Sequence, residues 1–154
     1  MNMNLTYTDF AIVGITVFAV IIAVTLHHEV STWMVKRLDS PSQQRHRRML
    51  YLIFTLILTH IAQIWLFASA AHVILMLPDS GSIVYSSSVN FLDLVYLSAV
   101  TFTTLGYGDI LPAGSIRFLF GTLSLTGFTL ITWSASITFL EMQRQWKERL
   151  DNRL

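Results

Sequence analysis

The chain contains no cysteine, which excludes disulfides and thiolate metal sites. Charge is scarce too. Asp, Glu, Lys and Arg make up 12% of the 154 residues, about half the share of an ordinary soluble domain. Three stretches carry none of the four: Phe10–His28 with 19 residues, Met49–Pro78 with 30 and Phe118–Leu140 with 23. Roughly 20 apolar residues span a hydrocarbon core. With 53% hydrophobic residues and a mean hydropathy of +0.57, too little polar sequence remains to cover three such helices in water. A membrane protein follows. No span carries the repeated arginines of a voltage sensor, so strong voltage gating is not expected. "HHEVST" lacks the second histidine of an H-E-x-x-H zinc site, and no nucleophile or metal constellation points to an enzyme. A cleaved leader is not expected either. "MNMNLTYTDF" has no basic residue, and "LHHEVSTW" stands where small residues would be needed.

The few charges are unevenly placed. Of ten Lys and Arg, five (Lys36, Arg37, Arg45, Arg47, Arg48) lie between the first and second stretches, and four (Arg144, Lys147, Arg149, Arg153) follow the third. The positive-inside rule puts both regions in the cytoplasm of a cell (inner or plasma) membrane, with the N-terminus and residues 78–115 outside. Basic residues that flank spans need no nucleic acid to explain them, and none is expected as a partner.

Helix one is expected to start near Thr8 or Asp9 and run on through "EVSTWMVKRL", with Val30, Trp33 and Met34 on an interfacial side. Pro41 in "DSPSQ" breaks it. An outer helix is expected over 49–77. "NFLDLVYLSAVTF" then reads as a helix of about 14 residues, or ~21 Å, too short to cross. Asn90 is its N-cap, and Asp93 lies near the positive end of its dipole. Both its flanks lie outside, so the chain must enter and leave on one side. A re-entrant segment of this kind must be buried in protein or line a watery cavity. An inner helix over 115–142 follows, then a short helical tail over 143–154. The organisation is thus an N-terminal helix with a basic linker (1–48), a pore unit (49–142, its re-entrant part 90–109) and the tail.

The loop "TTLGYGD" at Thr103–Asp109 sets Gly106 and Gly108 around Tyr107. Glycine tolerates positive φ, so successive carbonyls can be turned to one side of the strand. No βαβ unit surrounds the glycines, which excludes a dinucleotide-binding reading. "VTFTTLGYGDILP", Val100–Pro112, resembles the potassium-channel pore family, with a Thr-x-Gly-Tyr-Gly-Asp core at Thr104–Asp109. The resemblance extends over the outer helix, the pore helix and the inner helix. "LHHE", "TH…FA", "TTLGYGDI" and "TGFTLITWSAS" occur in the same order in some small prokaryotic channel proteins with an additional N-terminal span.

The resemblance implies an all-α membrane protein: three transmembrane helices per subunit plus a re-entrant pore helix and filter loop, assembled as a homotetramer. In that family the filter's carbonyls replace the hydration shell of K⁺. Here those of Thr104, Leu105, Gly106 and Tyr107 would do so, with the Thr104 hydroxyl completing the innermost site and Gly108 closing the strand. The pore helix would aim its negative end near Thr103 at a central cavity. Tyr107 would point away from the axis. Asp109 would sit at the outer mouth, where four copies concentrate cations. Leu105 stands where valine or isoleucine is common, and Val100 where some members have a glutamate that pairs with the aspartate. Tyr96 is then the nearest donor to Asp109 by spacing.

In the inner helix, Gly127 lies nineteen residues after Gly108. It reads equally as a hinge or as a point of close helix packing. Helical spacing from it puts Phe128, Ile131, Ala135 and Phe139 on the pore face, and a ring of Phe139 side chains is a candidate dewetting gate. Ser134 and Ser136 are expected to bond to neighbouring helices. His27, His28 and Glu29 end the first span, and His60 and Gln63 share a face of the second. Ionisable groups inside a membrane are candidates for function. The sharp reading is a proton sensor that links the first helix to the pore. The plainer reading is packing glue, which is common for polar groups in membranes.

The expected activity is passive K⁺ conduction, with K⁺ as the transported ion and no organic cofactor. Membrane lipid and an accessory or regulatory subunit complete the set of expected partners. The rival readings are a non-selective monovalent cation channel, a histidine-ligated intramembrane metal or haem protein, and a non-conducting accessory subunit.

Overall fold

The structure is a computed structural model, which describes residues 6–38, 45–85 and 88–151. The expected break at Asp39–Gln43 lies outside the described residues. In chain order the elements are α1 (Tyr7–Leu38), α2 (Arg45–Leu75), β1 (Ser82–Val84), α3 (Phe91–Phe102), β2 (Leu111–Ala113) and α4 (Arg117–Asp151). In hydrocarbon no water can satisfy backbone N–H and C=O groups, so apolar runs of this length form helices that bond internally. Among the described residues three helices are long and apolar enough to span: Tyr7–Arg37, Arg47–Leu75 and Arg117–Lys147. This is the all-α membrane architecture expected from the sequence.

Hydroxyls inside the spans are mostly satisfied by their own helix. Thr16 donates to the Ile12 carbonyl at 2.7 Å, Thr59 to Thr55 at 2.8 Å and Thr126 to Thr122 at 2.8 Å. Ser136 donates to Thr132 at 3.0 Å, so it bonds within α4 and not to a neighbouring helix as expected.

α1, α2 and α4 pack on one another, and α3 wedges between α2 and α4. A large core gathers Ile12, Ala19 and Ala23 of α1 with Phe67, Ala71 and Ile74 of α2 and Leu119, Leu123 and Leu130 of α4. Alanines at these contacts let the helix backbones approach closely, as membrane helices require. A second cluster of Met34, Leu52 and Leu56 closes the basic end. Met34 is buried and Trp33 exposed, so the two residues expected on one interfacial side take different surroundings.

α3 begins with a capping box. The Asn90 side chain accepts from the N–H groups of Leu92 and Asp93, and Asp93 Oδ2 accepts from the Asn90 N–H at 2.8 Å. Its far end, Phe102, packs against Gly127 and His60. Gly127 is ten residues, about 15 Å, into α4, and His60 is about 22 Å from the near end of α2 at 1.5 Å per residue. The chain therefore descends to mid-depth and returns to its starting side, where β2 pairs antiparallel with β1 in the register Ser82–Ala113, Ile83–Pro112, Val84–Leu111. The ribbon adds two strands to the expected all-helical plan. Three residues per strand are too few to leave an alternating pattern in the sequence. α4 also runs to Asp151 without a break, so the expected tail is its continuation.

Candidate functional site: a re-entrant loop and a histidine joint

The loop after α3 hangs from the helix's last carbonyls. Thr104 N–H donates to Thr101 O at 2.9 Å, while Leu105 and Gly106 N–H both donate to Val100 O, at 2.8 and 3.1 Å. The Thr103 hydroxyl donates to Ala99 O at 2.9 Å. Beyond this anchor the backbone alternates. Thr104, Gly106 and Gly108 take positive φ of 57°, 51° and 80°, and the residues between them do not. A strand with uniformly negative φ points successive carbonyls to opposite sides. Alternating the hand of φ turns successive peptides toward the same side. The glycines were legible as the residues that permit this. The left-handed Thr104 was not, because positive φ is rare for a β-branched residue.

The whole of Thr103–Asp109 is exposed in the single chain, with Leu105 at 56% and Tyr107 at 69%. Ile110, buried at 4%, marks the chain's return into the core. At the outer end the Tyr96 hydroxyl donates to Asp109 Oδ2 at 2.9 Å, the pair anticipated from spacing. This bond to the carboxylate raises the Tyr96 pKa above its ordinary value of 10.0.

In α4, the buried side includes Leu119, Leu123, Thr126, Leu130 and Ser134. A Cβ on Gly127 would fall inside van der Waals contact of the Phe102 carbonyl oxygen, so this glycine admits the end of the pore helix. Of the two readings of Gly127, close packing has the geometric support, and α4 is helical across it. Phe128 (59% exposed), Ile131 (37%), Phe139 (50%) and Ala135 all lie on uncovered surface of the chain.

Histidines from two spans meet beneath the loop. The His27 and His60 rings stack with centroids 5.4 Å apart, and Trp133 and Phe102 close the cluster at 5.2 and 5.4 Å. Gln63 Nε2 donates to Ala23 O at 3.1 Å, which leaves Gln63 Oε1 facing His60 Nδ1 at 3.0 Å. The direction of that amide assigns the His60 proton to Nδ1. His60 Nε2 is then the acceptor for the Ser134 hydroxyl at 3.0 Å, and His27 Nε2 stands 3.5 Å from the same oxygen. α1, α2, α4 and the end of α3 are thus tied at one point. His28 and Glu29 are exposed and outside it, although the His28 ring lies 6.1 Å from Trp133. Ser134 bonds across helices as anticipated. Its spacing of seven from Gly127 already put both on one helix face, whereas nothing in the sequence pointed to Phe102 or the Ala23 carbonyl. Among the described residues no three or more His, Cys, Asp or Glu converge as a metal site.

No curated protein and no solved structure matches the chain. A family model described as Ion channel (Ion_trans_2) matches residues 48–144, more than half of the chain. The matched segment takes in the re-entrant unit and the helices on either side of it, and leaves α1 outside. The chain belongs to this ion channel family.

Proposed function

We propose that the protein is the subunit of a homotetrameric potassium-selective channel. It conducts K⁺ passively through a filter formed by Thr104, Leu105, Gly106, Tyr107 and Gly108. The observation that carries this reading is the alternating φ at Thr104, Gly106 and Gly108 in a loop at mid-depth. One strand of aligned carbonyls offers only one side of a cage. Four around an axis can replace an ion's hydration shell, and repulsion between neighbouring ions keeps them moving. Exposed backbone at that depth must meet either protein or a watery pore, and symmetric assembly supplies both. The uneven basic charge favours a cytoplasmic C-terminus and an external N-terminus. Asp109, held by Tyr96, gathers cations at the outer mouth, and no chemical step is required.

The test is flux through liposomes that contain only this protein. K⁺ is expected to equilibrate while Na⁺ stays near background, and bi-ionic reversal potentials should follow K⁺. Equal Na⁺ and K⁺ permeability would establish the non-selective reading. Absence of any flux from tetrameric protein would favour an accessory role. The histidine joint supports modulation by pH. A second proton on His60 would turn the Ser134 hydroxyl from donor to acceptor and leave a cation between the His27 and Phe102 rings, a buried charge that works against the α2–α4 joint.

A further inference from the structure

Ser31 breaks a pattern. Thr16, Thr59, Ser69, Thr126, Thr129, Thr132, Ser136 and Thr138 each donate to the carbonyl four residues earlier. The Ser31 hydroxyl is buried, at 4% exposure, and has no partner among the described residues. A buried hydroxyl without a partner is costly in apolar surroundings. Ser31 lines a crevice of about 290 Å³ between α1 and α4, together with His28, Thr32, Lys36, Trp133 and Ile137. One turn nearer the outer side, His27 Nδ1 is another buried atom without a partner among the described residues.

The crevice is amphipathic along its length. Trp133, Ile137 and Val35 form an apolar floor, while Thr32 and Lys36 present a hydroxyl and an ammonium beside the covered hydroxyl of Ser31. Ser31 lies 24 residues, about 36 Å, along α1 from Tyr7, and so near the far boundary of a hydrocarbon core of about 30 Å. That end of the bundle also carries Arg37, Arg47, Arg48 and Lys147. A smaller adjoining crevice of about 210 Å³ shares Val35 and Ile137 and is bordered by Glu141 and Arg144. A ligand that fits needs an acyl chain for the floor and an anionic acceptor for Ser31 and Lys36. Free phosphate lacks the first, and a zwitterionic lipid carries a second cation into a basic surface.

We infer that this crevice between α1 and α4 is a binding site for an anionic phospholipid, its phosphate at Ser31 and Lys36 and one chain along Trp133. α1 then supplies a lipid contact to the pore-lining helix, three residues from the Gly127–Ser134 face. The inference does not depend on which ion passes, and its test needs no current.

The probe is the full chain with W33F, W65F and W146F, which leaves Trp133 as the sole tryptophan, in vesicles of brominated phosphatidylglycerol or brominated phosphatidylcholine. Phosphatidylglycerol is expected to reach half-quenching at a several-fold lower mole fraction. Adding S31V and K36Q should bring the two curves together. In parallel, native mass spectrometry of the unaltered protein should retain phosphatidylglycerol over phosphatidylcholine, a comparison that stands whatever the variants do to folding. Coincident quenching curves before S31V and K36Q are added, or equal retention of the two lipids, would overturn the site. So would a preference unchanged by S31V and K36Q. No quenching by either lipid would place a neighbouring subunit in the crevice and also overturn it.

Discussion

Gly127 and Gly121 lie less than two turns apart on α4, yet their surroundings differ completely. The first faces the Phe102 backbone, and the second has nothing within 4 Å in the subunit. Gly127→Ala must push the pore helix and its loop away from α4, an overpacking change of about 1–3 kcal/mol. It is expected to lower the thermal midpoint and suppress K⁺ flux, while Gly121→Ala leaves the midpoint of the subunit fold unchanged or raised, since alanine is the better helix former. Thermal unfolding of both variants in one detergent tests the contrast. Thr104 carries a different constraint, a left-handed β-branched residue held by its N–H bond to Thr101 O. Tyr96 braces the opposite end of the same loop through Asp109. With Tyr96→Phe the loop keeps its fold but loses that brace, so K⁺ currents should decline several-fold faster during sustained activity. Single-channel or macroscopic recordings would show an unaltered time course if the brace has no role.

At the scale of elements, α1 is more than an additional membrane span. It contributes His27 and the Ala23 carbonyl to the joint at which α2, α4 and the pore helix meet. The groups that face His60 are His27 from α1, Gln63 from its own helix, Ser134 from α4 and Phe102 from α3, so among the described residues His27 is the other titratable side chain there. Acidification through the titration range of His60 adds that second proton. Wild-type flux is expected to fall across it as the joint loosens, and the His60→Gln profile should be flat. A His60→Gln channel with the wild-type profile would remove the joint from pH control. The sharing of a face by His60 and Gln63 was legible from their spacing of three. An approach of His60 to His27 was expected if the two helices pack together, but the Ala23 carbonyl as the anchor of Gln63 was not, because the side on which two helices meet depends on packing across forty residues of chain.

For the whole molecule, the exposed surfaces bear on the proposed assembly. Leu105, Tyr107, Phe128, Ile131 and Phe139 are bare in the subunit, on both the loop and α4. Four-fold assembly would place the loops about one axis and bring the Phe139 side chains together toward the basic end. If they form a dewetting constriction, Phe139→Ala should raise resting K⁺ flux several-fold without altering selectivity. Flux equal to wild type would place the gate elsewhere.

Much of this architecture follows from local chemistry. Uncharged runs in hydrocarbon have to be helices, a helix too short to cross must turn back, and paired glycines mark where the backbone departs from ordinary conformations. Those properties depend on neighbours in the chain and could be read residue by residue. Other features arise from contacts between distant segments: the left-handed Thr104, the seat that Gly127 provides for Phe102, the three-residue ribbon, and the proton order through Gln63, His60 and Ser134. Each is set by which faces of three similar apolar helices meet. Hydrophobicity alone cannot choose among those faces, because lipid and helix interior are almost equally apolar; close packing and hydrogen bonds across the bundle make the choice.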